Sequence, residues 1–214
     1  MKIIILCSSK KHPIYPFLKK WIKTQKSHTM KILTDRTKVE KGDLLFLISY
    51  DKLITSEIRK KFKKTLVIHA SNLPLGRGWS PHIWQILDGK NKITVSLFEA
   101  DDKIDNGNIC KKLSFNLEGH ELYDEINSKL FQIELDLMEF AIRNFTKLPS
   151  KPQKKSKSKL FPKRFPIDSK LDPKKTISKQ FNLMRVADED RFPCFFNYKG
   201  HQYKLILKKF NSDD

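Results

Sequence analysis

Four short runs of Ile, Leu and Val punctuate the first seventy residues, and segments of mixed polarity separate them. The runs at residues 2–7, 30–34, 43–48 and 66–70 lack strict alternation of apolar and polar positions, which marks strands buried on both faces. Two further runs, 93–100 and 109–115, also read as strands. Between the runs, 14–26 and 55–64 carry helical spacing, and 81–87 opens on Pro81, a favoured first residue of a helix. The longest periodic stretch spans 121–146. There Leu122, Ile126, Leu130, Ile133, Leu137 and Phe140 recur at intervals of three and four, forming one buried stripe. Strands alternating with helices predict an α/β fold, a mostly parallel twisted sheet with flanking helices.

The pattern changes beyond residue 146. Residues 148–163 hold Pro149, Pro152 and Pro162 among lysines and serines, with almost nothing to bury, and read as a solvated linker or loop. After them come a helix at 176–187 and a hairpin of 192–198 with 202–207, Lys199 and Gly200 supplying the turn. The chain therefore divides into a core at 1–147, a Lys/Pro-rich linker or loop at 148–163 and a small C-terminal α+β extension, helix plus hairpin, at 164–214.

Composition adjusts this picture. No apolar run approaches the roughly 18 residues that span a bilayer, so no membrane partner is expected. Lysines and a proline also break the N-terminal apolar run before a signal-peptide core forms. Cys7, Cys110 and Cys194 are odd in number and far apart, giving neither a disulfide framework nor metal-ligand spacing. No metal is expected, and a reducing cytoplasm is the expected compartment. Lys plus Arg number 43 against 24 Asp plus Glu, a net charge of +19 that attracts polyanions. Residues 147–180, however, hold 12 of those basic residues and only 2 acidic ones. Only seven residues are Arg, the side chain behind the commonest specific contacts to bases. A sugar nucleotide or a folate polyglutamate suits the same field as well as a nucleic acid does.

Residues 66–110 hold the most unusual local composition. His69 closes a strand at the carboxyl end, where open parallel sheets place their active sites. Pro74, Gly76 and Gly78 follow in a loop whose backbone can approach a ligand closely. After the next strand, Asp101-Asp102-Lys103-Ile104-Asp105-Asn106-Gly107 forms a polar loop able to fold beside the first. A histidine and an aspartate joined this way move a proton and hold an imidazole in one tautomer. Taken singly, His69 is a structural hydrogen-bonder and the acidic run a solvated turn. GxGxxG is absent and the first strand ends in Cys7-Ser8-Ser9, so there is no dinucleotide fingerprint. Trp84 reads as core and Trp79 as a wall of an acceptor pocket. His82 and His120 have no constellation around them and read as surface or capping residues.

The segment HASNLPLGRGWSP followed by EADDKIDNGNI resembles the core of the formyltetrahydrofolate-dependent formyltransferases, which carry an HPSLLP-type loop, a following GRG and a D-x-G-x-D-T-G loop. His69, Ser71, Leu73, Pro74, Gly76, Arg77 and Gly78 fit the first motif, and Asp102, Asp105 and Gly107 fit the second. FPIDSKLD and NLMRVADEDRFPCFFNYKGHQYKL are similar to the segment that follows the catalytic core in amino-sugar formyltransferases. The resemblance implies a Rossmann-like core that transfers a formyl group from N10-formyltetrahydrofolate, as co-substrate, to an amine. It implies His69 and Asp105 as catalytic residues. The family's asparagine, in an N-x-H arrangement, falls on Val67, which cannot donate a hydrogen bond, and Asn72 is the neighbour expected to compensate. Leu47, Ile48, Ser49 and Tyr50, with Asp101, Asp102 and Ile104, take the places of the folate partners. Ser71, Gly76, Arg77, Gly78 and Trp79 are expected on the acceptor side, Arg77 either meeting a phosphate or bracing its loop.

The acceptor expected is a nucleotide-linked amino sugar used in surface glycan synthesis. Only 68 residues follow residue 146, fewer than the larger C-terminal barrel of a tRNA enzyme. Methionyl-tRNA is the alternative partner, favoured by the lysine-rich 151–163. A non-catalytic folate- or polyanion-binding relative is a third reading, favoured by Val67. The sequence admits a homodimer.

Overall fold

A computed structural model describes residues 1–154, 156 and 160–210. Strands β1 (Lys2–Leu6), β2 (Thr29–Leu33), β3 (Gly42–Leu47) and β4 (Phe62–His69) run parallel in the order β2-β1-β3-β4. A two-residue strand β5 (Arg77–Gly78) follows outside this sheet, and β6 (Lys92–Glu99) and β7 (Ile109–Asn116) continue the sheet antiparallel beyond β4. This is the Rossmann-like, mostly parallel sheet that the pattern predicts. Its central strands are buried on both faces. Ile3, Ile5, Leu44, Phe46 and Ile48 enter a core beneath helices α1 (Ile14–Thr24) and α4 (Tyr123–Arg143), while Ile4, Leu6, Leu45 and Leu47 enter a smaller one on the opposite face.

One segment departs from its expected structure. Residues 55–64 form only a single turn, α2 (Ser56–Arg59), before β4 begins at Phe62. Helical spacing loses here because Phe62 pairs with Gly42 on β3 and buries its ring in the smaller core. A Cβ at Gly42 would stand 2.9 Å from that ring, so the missing side chain makes the space.

The short α3 (Pro81–Leu87) leads into β6, and α4 is held at its start by the Glu125 carboxylate, which accepts from Leu122 N at 2.8 Å. Nearby, burial alone would raise the Glu121 carboxyl, but hydrogen bonds from Lys129 and from the backbone amides of Glu118 and Gly119 hold it down to about 2. The same carboxylate lies 3.7 Å from Arg185 at the end of α5 (Ile177–Arg185). Val186 then enters a cluster with Ile83, Ile86, Ile93, Leu117 and Ile126, so the C-terminal extension shares a core with α3, β6 and α4. Its hairpin, β9 (Cys194–Tyr198) with β10 (His201–Leu205), turns on Lys199 and Gly200, both left-handed at φ 46° and 81°.

Residues 148–163, read from composition as a solvated linker or loop, are mostly exposed where they are described, yet they touch the core at several points. Leu148 is buried, Lys151 exchanges two backbone hydrogen bonds with Ile109, and β8 (Leu160–Phe161) pairs in parallel with β5. Lys155, Lys157 and Lys159 lie outside the described residues.

The buried face of α4 differs from the expected stripe. Asn127 and Glu134 are buried on it alongside Leu130, Phe131 and Leu137, whereas Ile133 is only partly covered. Burial pushes the Glu134 carboxyl up to about 8 from an ordinary 4.5. The folded protein therefore keeps a proton that the unfolded chain releases, and this group lowers stability as pH rises from about 4.5 toward about 8. Glu134→Leu is expected to remove that slope and to be the more stable protein at about pH 8, an outcome read by comparing urea unfolding of the two chains across the range. A variant no more stable than wild type at the alkaline end would contradict the burial argument.

Candidate active site

Where β1, β3 and β4 end, their loops separate and leave a cavity of about 480 Å³. It reaches both faces of the sheet. The side nearer α2 has apolar walls from Leu47, Ile54, Val67 and Phe98, with Ser49, Tyr50, Asp101 and Ile104 at its edge. The side nearer α4 is lined by His12, His82, Tyr123, Asn127, Leu130, Phe131 and Glu134, and by Arg164, Asp188, Arg191 and Phe192 from the extension. Non-glycine residues in the left-handed region gather here too: Ser49 at φ 48°, Ser80 at 45° and Asp105 at 51° all line the cavity. Such conformations persist only where the surroundings enforce them.

His69 and Asp105 meet at this cavity, their side chains 10% and 12% exposed. The imidazole Nε2 lies 3.0 Å from the Gly76 carbonyl and 3.6 Å from Asp105 Oδ2. A carbonyl only accepts, so Nε2 carries the proton and donates it, and the neutral ring keeps its lone pair on Nδ1. Asp105 Oδ2 also accepts from Gly78 N at 2.9 Å. One carboxylate oxygen thus fastens the glycine loop and stands against the imidazole.

The meeting depends on close backbone approaches. A Cβ at Gly107 would fall 1.7 Å from the Glu99 carbonyl, so the aspartate loop folds back onto the strand it has just left. A Cβ at Gly78 would fall 2.2 Å from the Phe161 carbonyl, which explains why β8 can lie along β5. Gln153 Nε2 donates to the carbonyls of Asp105 at 3.0 Å and Gly107 at 2.8 Å. Trp84 stacks on Phe161 and donates from Nε1 to the Pro162 carbonyl at 3.0 Å. The segment that follows α4 therefore clamps both loops.

On the α4 side, Tyr123 Oη donates to Asp188 Oδ2 at 2.7 Å, and Arg191 donates to both, from Nη2 to Tyr123 Oη at 2.7 Å and from Nε to Asp188 Oδ2 at 2.5 Å. Burial, then the bond to Asp188, pushes Tyr123 up to about 12. Burial and the charge of Arg191 lower His12 to about 4. Burial first, then coupling to the neighbouring imidazoles and the charges of Arg164 and Arg191, lowers His82 to about 3. Both histidines are neutral at pH 7.

The structure sorts the residues singled out from sequence. His69 and Asp105 come together, and Leu47, Ser49, Tyr50, Asp101, Ile104, Gly78 and Trp79 line the same cavity. Ile48 points instead into the main core. Asp102 turns away and pairs with Arg59 at 2.5 Å. Ser71 and Gly76 stand behind the lining, Ser71 fully buried. Arg77 braces the loops, donating from Nη2 to Asn106 Oδ1 at 3.2 Å and Gln153 Oε1 at 3.4 Å. Asn72 is exposed and accepts from Lys112 Nζ at 2.7 Å, so it does not reach the place left by Val67. Val67 lies on the cavity wall, two residues before His69 on the same face of β4.

His82, read as a surface residue, belongs to the cavity instead, because α3 turns it inward. His120 is exposed beside Glu118 at 3.2 Å. Missed altogether were Tyr123, Asn127 and Glu134, which lie outside the apolar stripe read on α4, and Asp188 and Arg191, which stood inside a family-like segment without being singled out. No group of three His, Cys, Asp or Glu side chains among the described residues has the arrangement of a metal site.

A family model described as formyl transferase matches residues 3–142. Methionyl-tRNA formyltransferase of Buchnera aphidicola subsp. Acyrthosiphon pisum is 31% identical over 98 residues, which make up 45% of this chain and 31% of that relative. The chain thus spans about a third of that curated protein. Methionyl-tRNA formyltransferase from Clostridium thermocellum superposes with a TM-score of 0.82 at 22% identity, covering 100% of this chain and 95% of that one. HypX from Aquifex aeolicus in complex with tetrahydrofolic acid gives 0.80 at 20%, covering 97% and 37%. A 4-N formyltransferase from Francisella tularensis gives 0.76 at 17%, covering 98% of each chain. At these identities the solved structures speak for the fold alone. The family match takes in the sheet, α4 and both members of the His69–Asp105 pair, more than half of the sequence, and the chain belongs to the formyl transferase family.

Proposed function

We propose that this chain transfers a formyl group from N10-formyltetrahydrofolate to the amine of a nucleotide-linked amino sugar during synthesis of a surface glycan. The observation that carries the reading is the approach of His69 and Asp105 to 3.6 Å at a cavity whose two sides differ in character. The side nearer α2 fits a folate: Leu47, Val67 and Phe98 offer apolar walls to a flat ring, and Ser49, Tyr50 and Asp101 bring polar groups to its edge. Bound there, N10-formyltetrahydrofolate supplies the formyl group.

The chain's own part is to manage protons and place the amine. An amine attacks only as the free base, so a proton must leave it during transfer. The lone pair on His69 Nδ1, in the tautomer set by Gly76, takes that proton. Asp105, fastened by Gly78, favours the imidazolium that results. Charge developing on the carbonyl oxygen meets no donor from Val67 or Asn72, so turnover is expected to be slow. The three buried, unpaired cysteines suit a reducing cytoplasm.

Methionyl-tRNA is the second acceptor to test. It is favoured by the Buchnera relative and by exposed Lys151, Lys154 and Lys163, the last of which lines the cavity.

His69→Ala and Asp105→Asn are each expected to cut tetrahydrofolate release by about 10²-fold or more, with tetrahydrofolate binding and unfolding midpoint unchanged. Normal turnover by both would overturn the assignment. Val67→Asn is expected to raise kcat about tenfold or more by restoring a donor, and an unchanged kcat removes the argument about charge on the carbonyl oxygen. A panel of nucleotide-linked amino sugars, read by mass for a gain of one formyl unit, tests the acceptor. Formylation of initiator methionyl-tRNA that falls steeply with salt would favour the second acceptor instead.

A further inference from the structure

Helix α4 lays an apolar face against the sheet, and two positions break it. Asn127 and Glu134 stand seven residues apart, so they share that face, with Leu130 and Phe131 between them, and all four line the cavity. Asn127 is 7% exposed and Glu134 5%. Among the described residues, Asn127 Nδ2 and Glu134 Oε2 have no hydrogen-bond partner, nor has His82 Nδ1 across the cavity on α3. A leucine at either helix position would continue the stripe without the penalty of a desolvated, unpaired polar atom. Both residues line one cavity, and an unpaired polar atom on each points to something that pairs with these side chains there.

The chemistry of the wall limits what that is. Glu134 keeps its proton at neutral pH, both histidines are uncharged, and Asn127 is an amide. Asn127, Glu134 and the two histidines thus offer hydrogen-bond donors and acceptors without charge of their own, beside the Phe131 ring. A methionyl side chain brings only apolar atoms and a weakly accepting sulfur, and would leave both helix groups unpaired. A hydroxylated ring brings closely spaced groups that both donate and accept, and its C–H face packs on an aromatic ring.

We propose that Asn127 and Glu134 bind the hydroxylated ring of the acceptor and thereby select a carbohydrate over methionyl-tRNA. The word acceptor rests on the formyl-transfer reading above, but the ring site itself does not. Calorimetric titration of the full chain with UDP-glucose against UDP, and with dTDP-glucose against dTDP, isolates the contribution of the ring without any transfer. In at least one pair the hexose is expected to tighten binding about tenfold. Asn127→Leu and Glu134→Leu are each expected to remove about 3- to 10-fold of that gain, while Glu134→Gln, which still hydrogen-bonds, keeps most of it.

Tetrahydrofolate titration of the same variants should match wild type. Wild-type protein that gains nothing from the ring in either pair, binding of neither ligand included, overturns the proposal. So do leucine variants that bind the hexose ligand as wild type does, or that lose tetrahydrofolate along with it. A ring contribution without formyl transfer would remove only the formyl-transfer reading, and formyl transfer without a ring contribution would remove only this site.

Discussion

A histidine at the end of one strand and an aspartate on the loop after another can meet only if both loops press against backbone that lies in the way. Gly78 and Gly107 permit this, since a methyl group at either position would overlap a carbonyl oxygen. The approach fixes more than distance. Gly76 determines which imidazole nitrogen bears the proton, Gly78 fastens the carboxylate, and Gln153 holds the aspartate loop by two of its own carbonyls. The backbone strain at Asp105 is borne by this set of contacts rather than by the loop alone. The imidazole and the carboxylate are thus positioned mainly by main-chain atoms, which move little when surface residues change.

The sheet also separates two kinds of wall. Side chains on a strand alternate between faces, so β3 and β4 give apolar groups to the α2 side, while the loop before α1, with α3, α4 and the extension, builds the other side. The first side is suited to a flat ring that needs shape and edge contacts. The second is polar, yet its two histidines and its glutamic acid are kept uncharged by burial. Positive groups line it as well, Lys11 and Lys163 exposed and Arg164 and Arg191 more deeply set.

Much of this was legible from the sequence. Ile3 to Leu6 and Leu44 to Ile48 announced strands covered on both faces, and the loop glycines after His69 announced close approach. What escaped detection had a common cause. Phe62 became a strand residue because a partner twenty positions earlier, Gly42, left room for its ring. Glu134 and Asn127 stood outside the apolar stripe by local pattern, and only the packing of α4 against β7, β6 and α1 turned them inward. Gln153, in a stretch that looked unable to bury anything, found its partners 46 and 48 residues away. Local periodicity registers neighbours along a helix or strand, and it is blind to contacts made across the fold.

The clamp formed by Gln153, Phe161 and Pro162 also has a meaning in time. During synthesis the sheet and α4 are complete once residue 143 has emerged, and their contacts suffice to begin burying the core. The aspartate and glycine loops receive their outer supports only after a further twenty residues have been added and have crossed back over them. The geometry around His69 and Asp105 therefore depends on residues made after the sheet and α4, and a chain ending at residue 143 would hold the architecture without those supports.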